Sequence, residues 1–189
     1  FSYSTSSLAM DTKYYWKVVA TDPSGNSTSR IMNFTYEGLL WSYDAGNSVE
    51  SVMVSADGEY IVVGIGSSGY VHLFKKDSGT PLWSYDTDQD TVATVAISAD
   101  GEYIVAGADD TVYLFDKDSS TPLWSYDTGN TVNSVSISAD GEYIAAGATN
   151  DKVYLFRKDS STPLWSHDTY GDVYSVDISA DGEYIAATS

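Results

Sequence analysis

The chain has 189 residues, 42% of them apolar and 14% aromatic, enough for a packed core, and it contains no cysteine. Disulfides, thiol catalysis, thiolate zinc sites and iron–sulfur clusters are therefore excluded. A net charge of −18 makes duplex nucleic acid or an anionic membrane surface a poor partner, because phosphate binding depends on clustered Lys and Arg.

No run of 18 apolar residues is present, so no membrane insertion is expected; the sequence opens at Phe1 and reads as a mature or truncated chain. Charge is unevenly spread. Residues 1–38 balance three acids against three bases, whereas residues 39–189 hold 24 acids and six bases. Two domains are expected, 1–38 and 39–189, with the junction at Glu37-Gly38.

In chain order, residues 1–36 predict strands over Ser2–Ser6, Tyr14–Thr21 and Arg30–Tyr36, the middle one alternating with period two. Asp22-Pro-Ser-Gly-Asn26 is a turn by composition. The stretch from Leu8 to Ala20, with Tyr14 and Trp16, followed by Gly25-Asn26, resembles the second half of a fibronectin type III domain. The resemblance implies a partial β-sandwich in which Tyr14 is the corner tyrosine, its hydroxyl bonded to upstream backbone. The loop carries no Arg-Gly-Asp, so integrin-type adhesion is not implied. Half a sandwich cannot bury its inner face alone, so earlier strands are expected to precede it.

From Leu39 the chain repeats. Ser-Ala-Asp-Gly-Glu-Tyr-Ile occurs four times, beginning at Ser55, Ser98, Ser138 and Ser179, each copy predicting a hairpin with a two-residue Asp-Gly turn. Leu-Trp-Ser-Tyr/His-Asp recurs with Trp41, Trp83, Trp124 and Trp165 spaced 42, 41 and 41 residues apart. A period near 40 with several short strands per unit predicts an all-β fold of β-propeller blades, four antiparallel strands each. In the second unit these are Val92–Ile97 (a), Glu102–Ala106 (b), Thr111–Phe115 (c) and Leu123–Tyr126 (d). Ser-Ala-Asp-Gly and Val112-Tyr-Leu-Phe-Asp116 resemble WD40 repeats; Asp118, Thr121 and Leu-Trp-Ser-Tyr-Asp resemble the quinoprotein (PQQ-type) propeller, which implies indoles docked between blades. Departures are the missing Gly-His pair, phenylalanine in place of the strand-c tryptophan, and a shorter docking segment. The strand order from Leu39 is d, abcd, abcd, abcd, ab. The chain then continues in a longer parent, shares a ring with other copies, or forms an open array.

Strand a should line the channel, Val95 and Ile97 packing between blades. The opposite side shows Ala96 with equivalents Met53, Ser136 and Asp177, and the mouth shows Ala93 with equivalents Glu50, Asn133 and Tyr174. Such variation marks either a binding surface or drift. Strand alternation puts a–b turns and c–d loops, with Lys75, Lys76, Lys117, Arg157 and Lys158, on one face. The other face gathers Asp44, Asp86, Asp88, Asp90, Asp109, Asp110, Asp127, Asp151, Asp168 and Asp172 against Lys152. Glu50, Asp109, Asp110 and Tyr174 thus make a candidate binding face. Asp86-x-Asp88-x-Asp90 has the carboxylate spacing that opens a calcium loop, but Thr91 and Ile97 stand where its glycine and closing glutamate belong. A solvated acidic surface is the competing reading.

His72 and His167 occupy positions that are tyrosine in sister repeats, so neither reads as a catalytic base. No Gly-x-Ser-x-Gly elbow or phosphate-cradling glycine loop is present. The repeated tryptophans are core wedges or glycan platforms. Asn26-Ser-Thr28 and Asn33-Phe-Thr35 are glycosylation patterns, relevant if the chain is secreted. The expected function is that of a non-enzymatic extracellular or cell-surface protein, a structural or adhesion scaffold that binds a protein or glycan or assembles with itself. The module pairing resembles modular cell-surface proteins of prokaryotes, archaeal ones given the acidity. No cofactor is expected apart from the calcium candidate. The alternatives are a quinoprotein dehydrogenase, whose channel needs calcium, arginine and paired acids, and a carbohydrate-binding propeller.

Overall fold

The computed structural model describes residues 12–21, 27–36, 40–66, 68–88 and 91–189, the first two ranges as strand backbone. The expected strand Ser2–Ser6 and the junction Glu37-Gly38 lie outside them. Contacts divide the chain into Phe1–Ser42 and Tyr43–Ser189. In the first unit β1 (Thr12–Thr21) and β2 (Ser27–Tyr36) form an antiparallel hairpin that sets Tyr14 opposite Phe34. The corner bond expected of the Tyr14 hydroxyl lies outside the described residues.

The second unit is a row of sheets. β3 (Val49–Val54), β4 (Tyr60–Ile65), β5 (Tyr70–Lys75) and β6 (Trp83–Asp86) make the first. The second holds β7 (Val92–Ile97), β8 (Tyr103–Ala108), β9 (Thr111–Asp116) and β10 (Trp124–Asp127), and the third β11 (Val132–Ile137), β12 (Tyr143–Ala148), β13 (Lys152–Arg157) and β14 (Ser160–Asp168). β15 (Ser175–Ile178) and β16 (Ile185–Thr188) pair as a hairpin. Every sheet is an antiparallel meander in sequence order, and the first strands β3, β7, β11 and β15 stand side by side. This is the predicted blade. Residues 40–47 carry no strand, so the strand d expected over Leu39–Asp44 is absent from its described part. Its aromatic docking persists without the ladder: Tyr43 sets its ring 5.0 Å from Phe74, as Tyr85 does 5.1 Å from Phe115.

The Asp-Gly turns are not the two-residue turns expected. Ser55 N–H donates to the Tyr60 carbonyl at 3.0 Å, closing a four-residue loop in which glycine alone takes the left-handed region, φ 74° at Gly58. The aspartate caps instead of turning. Its Oδ1 accepts the Ser55 hydroxyl at 2.6 Å and the Glu59 N–H at 3.0 Å, while Tyr60 N–H donates to Ser55 Oγ. Short polar side chains bond nearby backbone in this way, and all four copies repeat it.

The core lies between blades. Val62, Val71 and Leu73 of the first sheet pack with Val92, Val95, Ile97 and Phe115 of the second, and the arrangement recurs at the next two boundaries. Four devices repeat across these boundaries. Trp83 Nε1 donates to the Lys117 carbonyl at 2.8 Å and Trp124 Nε1 to that of Lys158 at 2.9 Å, each indole centred 5.3 Å from the next blade's phenylalanine. Tyr60, Tyr103 and Tyr143 lay their rings on Gly101, Gly141 and Gly182, where an added Cβ would come within 2.4–2.5 Å. The amides of Ala56, Ala99 and Ala139 donate to the carbonyls of Ala99, Ala139 and Ala180, each at 3.0 Å. Lastly, the hydroxyls of Ser51, Thr94 and Ser134 accept the amides of Val95, Val135 and Val176 at 3.0–3.2 Å.

Candidate functional site

Strand a is interrupted in each full blade. The register skips one residue between Val49 and Ser51, Val92 and Thr94, and Val132 and Ser134, so Glu50, Ala93 and Asn133 are bulge residues. Opposite each bulge stands Gly64, Gly107 or Gly147, where a Cβ would meet Val92, Val132 or Val173 of the next repeat at 2.4–2.8 Å. The glycine permits close stacking, and the bulge takes up the mismatch by turning one side chain out of the ladder. Bulge position and variable position coincide. Tyr174 holds the same place in the fourth unit, 66% exposed, with its N–H donating to the Thr188 carbonyl. Glu50 accepts the Ser48 hydroxyl at 2.7 Å, and Asn133 Nδ2 donates to the Val173 carbonyl at 2.8 Å. The fixed scaffold therefore presents a row of unlike side chains along its first strands.

Asp109 and Asp110 belong to a turn beside that row. Asp109 takes φ 41°, and the Asp110 carbonyl accepts both the N–H and the hydroxyl of buried Thr128 at 2.8 Å. Thr87 and Thr169 clamp the equivalent turns. Asp86, Asp127 and Asp168 cap their own d–a loops, accepting the N–H groups of Asp88, Gly129 and Tyr170 at 2.6–3.0 Å. Asp86 thus turns its carboxylate onto its own backbone, Asp88 sits at φ 55°, and Asp90 lies outside the described residues. Among the described residues no group of three acids or histidines gathers.

The two faces differ in how charge is met. On the a–b and c–d face Lys76 pairs with Glu59, Lys117 with Glu102 at 2.9 Å, and Arg157 and Lys158 with Glu142. These cations hold the Glu142 carboxyl below its ordinary range. On the opposite face Asp44, Asp86, Asp127 and Asp168 accept backbone N–H groups of their own loops. The inner positions carry Met53, Ala96, Ser136 and Asp177, with Ser136 Oγ donating to Asp177 at 3.0 Å. Arg157 stands on the paired face, and the first strands β3, β7, β11 and β15 carry no lysine or arginine. His72 is buried with Nδ1 2.7 Å from Ser84 Oγ, and burial pushes its imidazole below the ordinary value. Trp83 and Trp124 are half-buried wedges, and Trp41 is half-buried outside any strand. Trp165 is 42% exposed and lines, with His167, Leu155 and Ile185, an open cavity of about 300 Å³.

Four-stranded meanders stacked through their first strands and docked by indoles define a β-propeller repeat protein. Residues 17–187 match the family of the outer membrane protein assembly factor BamB, and the chain belongs to that family. No curated protein matches it. Among solved structures it is similar to a chain of the mitotic checkpoint complex, with 20% identity, a TM-score of 0.67, and coverage of 87% of this chain and 48% of that one. The WD40 repeats of RRP9 and the structure of U3-55K each share 15% identity at a TM-score of 0.64, covering 72% of this chain and 44% of theirs. These likenesses show the fold, and the chain spans about half the length of those solved chains.

Proposed function

We propose that this chain is a non-enzymatic platform that binds a protein partner along its first-strand row, at an extracellular or cell-surface site. The observation that carries the reading is the bulge. It spends one residue per blade on presenting Glu50, Ala93, Asn133 and Tyr174, while the recurrent Ser, Thr, Asp and Trp side chains are consumed by the scaffold itself. Family and neighbours support the same direction. BamB is by its description an assembly factor for outer membrane proteins, and one neighbour is a component of a multiprotein complex. The net charge of −18 favours a partner with basic residues. A fibronectin-type origin for residues 1–38 rests on the single hairpin β1–β2; the family match, beginning at residue 17, favours reading that hairpin with the repeats.

A displayed random-peptide library selected against the chain tests the proposal. Enriched peptides should be basic and should lose most of their binding to the Glu50→Ala, Tyr174→Ala double variant, with its melting temperature unchanged. Undiminished binding to that variant, or PQQ- and calcium-dependent dye reduction by the wild type, contradicts it.

A further inference from the structure

We infer that the outer edge of each blade, its strand d, takes an extended segment of a partner protein as a fifth strand, and that the segment it fits alternates a basic, a hydroxyl and an apolar side chain. This goes beyond the platform reading, since it concerns the rim of the row rather than its first strands.

β6, β10 and β14 each stand last in a sheet of four strands. In the first blade Thr87 N–H donates to the Gly69 carbonyl at 3.0 Å and Leu82 N–H to the Leu73 carbonyl at 2.7 Å. The register sets Leu73 opposite Trp83, so Leu82 is the extra residue of a bulge, and the ladder bonds fall on Trp83, Tyr85 and Thr87. The main-chain N–H and C=O groups of Ser84 and Asp86 consequently point away from the sheet. Equivalent bonds from Thr128 and Thr169 turn Ser125, Asp127, Ser166 and Asp168 outward in the other two blades.

The side chains repeat with the backbone. Trp83 and Tyr85 turn into the boundary with the second blade, and Leu82, Ser84 and Asp86 are exposed. Leu82, Leu123 and Leu164 are 51%, 51% and 53% exposed. Leu123 belongs to the blade that has a complete blade on either side, and the other two do not, so this exposure is a property of the rim and not of where the row stops. Each blade thus shows the stripe Leu-x-Ser-x-Asp beside free pairing groups.

A strand added antiparallel sets one residue opposite each member of the stripe: a cation against the aspartate, a hydroxyl against the serine, an apolar side chain against the leucine. The same pairing selects the occupant. Two copies of this edge joined about Ser125 would set each Asp127 against the other copy's Leu123, charge against apolar, and a four-residue edge is too short to hold mismatched strands by backbone alone. The net charge of −18 also opposes a second copy and favours a segment that brings the cation.

Adding acetyl-Lys-Val-Thr-Val-Leu-amide to the isotope-labelled chain, followed by NMR, tests this. The amide resonances of Ser84, Asp86, Ser125 and Asp127 should shift saturably, and those amides should exchange roughly tenfold more slowly with peptide bound. A peptide N-methylated at its threonine, or carrying glutamate in place of lysine, should lose the effect. Ser125→Pro removes one outward N–H at an edge position that accommodates proline, and should abolish the response of the second blade while leaving that of the first. The Glu50→Ala, Tyr174→Ala variant should respond like the wild type, which separates this edge from the first-strand row. Resonances unmoved at the peptide's solubility limit, shifts confined to the first-strand row, equal shifts with the N-methylated peptide, or an undiminished second-blade response in Ser125→Pro overturn the inference. So does slowed exchange at these amides that grows with chain concentration in the absence of peptide, because the occupant is then a second copy.

Discussion

Trp124 Nε1 donates to the main-chain carbonyl of Lys158 across the boundary between the second and third blades, 2.9 Å away. The indole also covers Phe156, so one side chain supplies both the apolar wedge and the bond that sets its depth.

Trp124→Ala should therefore cost roughly 3–5 kcal/mol, the range for deleting a packed aromatic. Trp124→Phe keeps a ring and loses the bond, costing about 1 kcal/mol from that bond. Trp165→Ala should cost clearly less than Trp124→Ala, since Trp165 is already 42% exposed. Urea unfolding of the three variants checks the order. Equal losses at positions 124 and 165 would mean that the indoles do not work as wedges.

The tyrosine–glycine contact gives a paired test. Gly58 and Gly141 share left-handed φ values of 74° and 71°, yet only Gly141 carries a neighbour's ring. Alanine at either position meets the left-handed penalty of about 1–2 kcal/mol. At Gly141 it also collides with Tyr103, 2.4 Å from the added Cβ. Gly141→Ala should destabilise more than Gly58→Ala, and Tyr103→Ala should remove the difference. Equal melting shifts would contradict it.

Much of this fold is legible in the sequence, and the part that is not has a physical cause. The strands follow from alternation and repeat phase, and the predicted ends of strands a to d in the second unit fall within two residues of those observed. Asp100-Gly101 suggested a two-residue turn because that dipeptide tolerates positive φ. The serine two positions earlier claims the aspartate as an acceptor, which lengthens the loop. Repetition shows which residues are equivalent but not which ones touch, so the placing of Tyr60 on Gly101 stayed hidden. A signal for the bulges was present: the three full blades share glycine at 64, 107 and 147, while the bulge residues Glu50, Ala93 and Asn133 differ.

His72 ties stability to pH in a definite direction. Burial lowers its folded pKa below 6.5, so the unfolded chain binds more protons in the interval between the two values. Stability is full above about pH 6.5 and declines as pH falls from there toward the folded value. His72→Tyr, which restores the residue of Tyr113 and Tyr154, should flatten the change in urea midpoint between about pH 7.5 and pH 5.5. An unchanged slope would show that burial of this imidazole is not the cause.

A second decline belongs to the turn carboxylates. Ser55 and the Glu59 amide hold Asp57 low, the Glu142 amide and Ser138 hold Asp140 low, and Arg157 and Lys158 do so for Glu142. Depressed carboxyl values contribute stability above the unfolded pKa of about 4, and it is lost as pH falls through the folded values. Glu142→Gln should shrink that acid-side loss measured by urea midpoint below about pH 4; an identical acid limb would contradict the assignment.

Amide hydrogen exchange followed by NMR tests blade stacking most directly. The turn amides of Ala99 and Ala139 each reach the next blade's carbonyl at 3.0 Å and should exchange orders of magnitude more slowly than that of Ala180, which faces the outer edge. Equal, fast exchange at all three would mean that the blades do not stack as described.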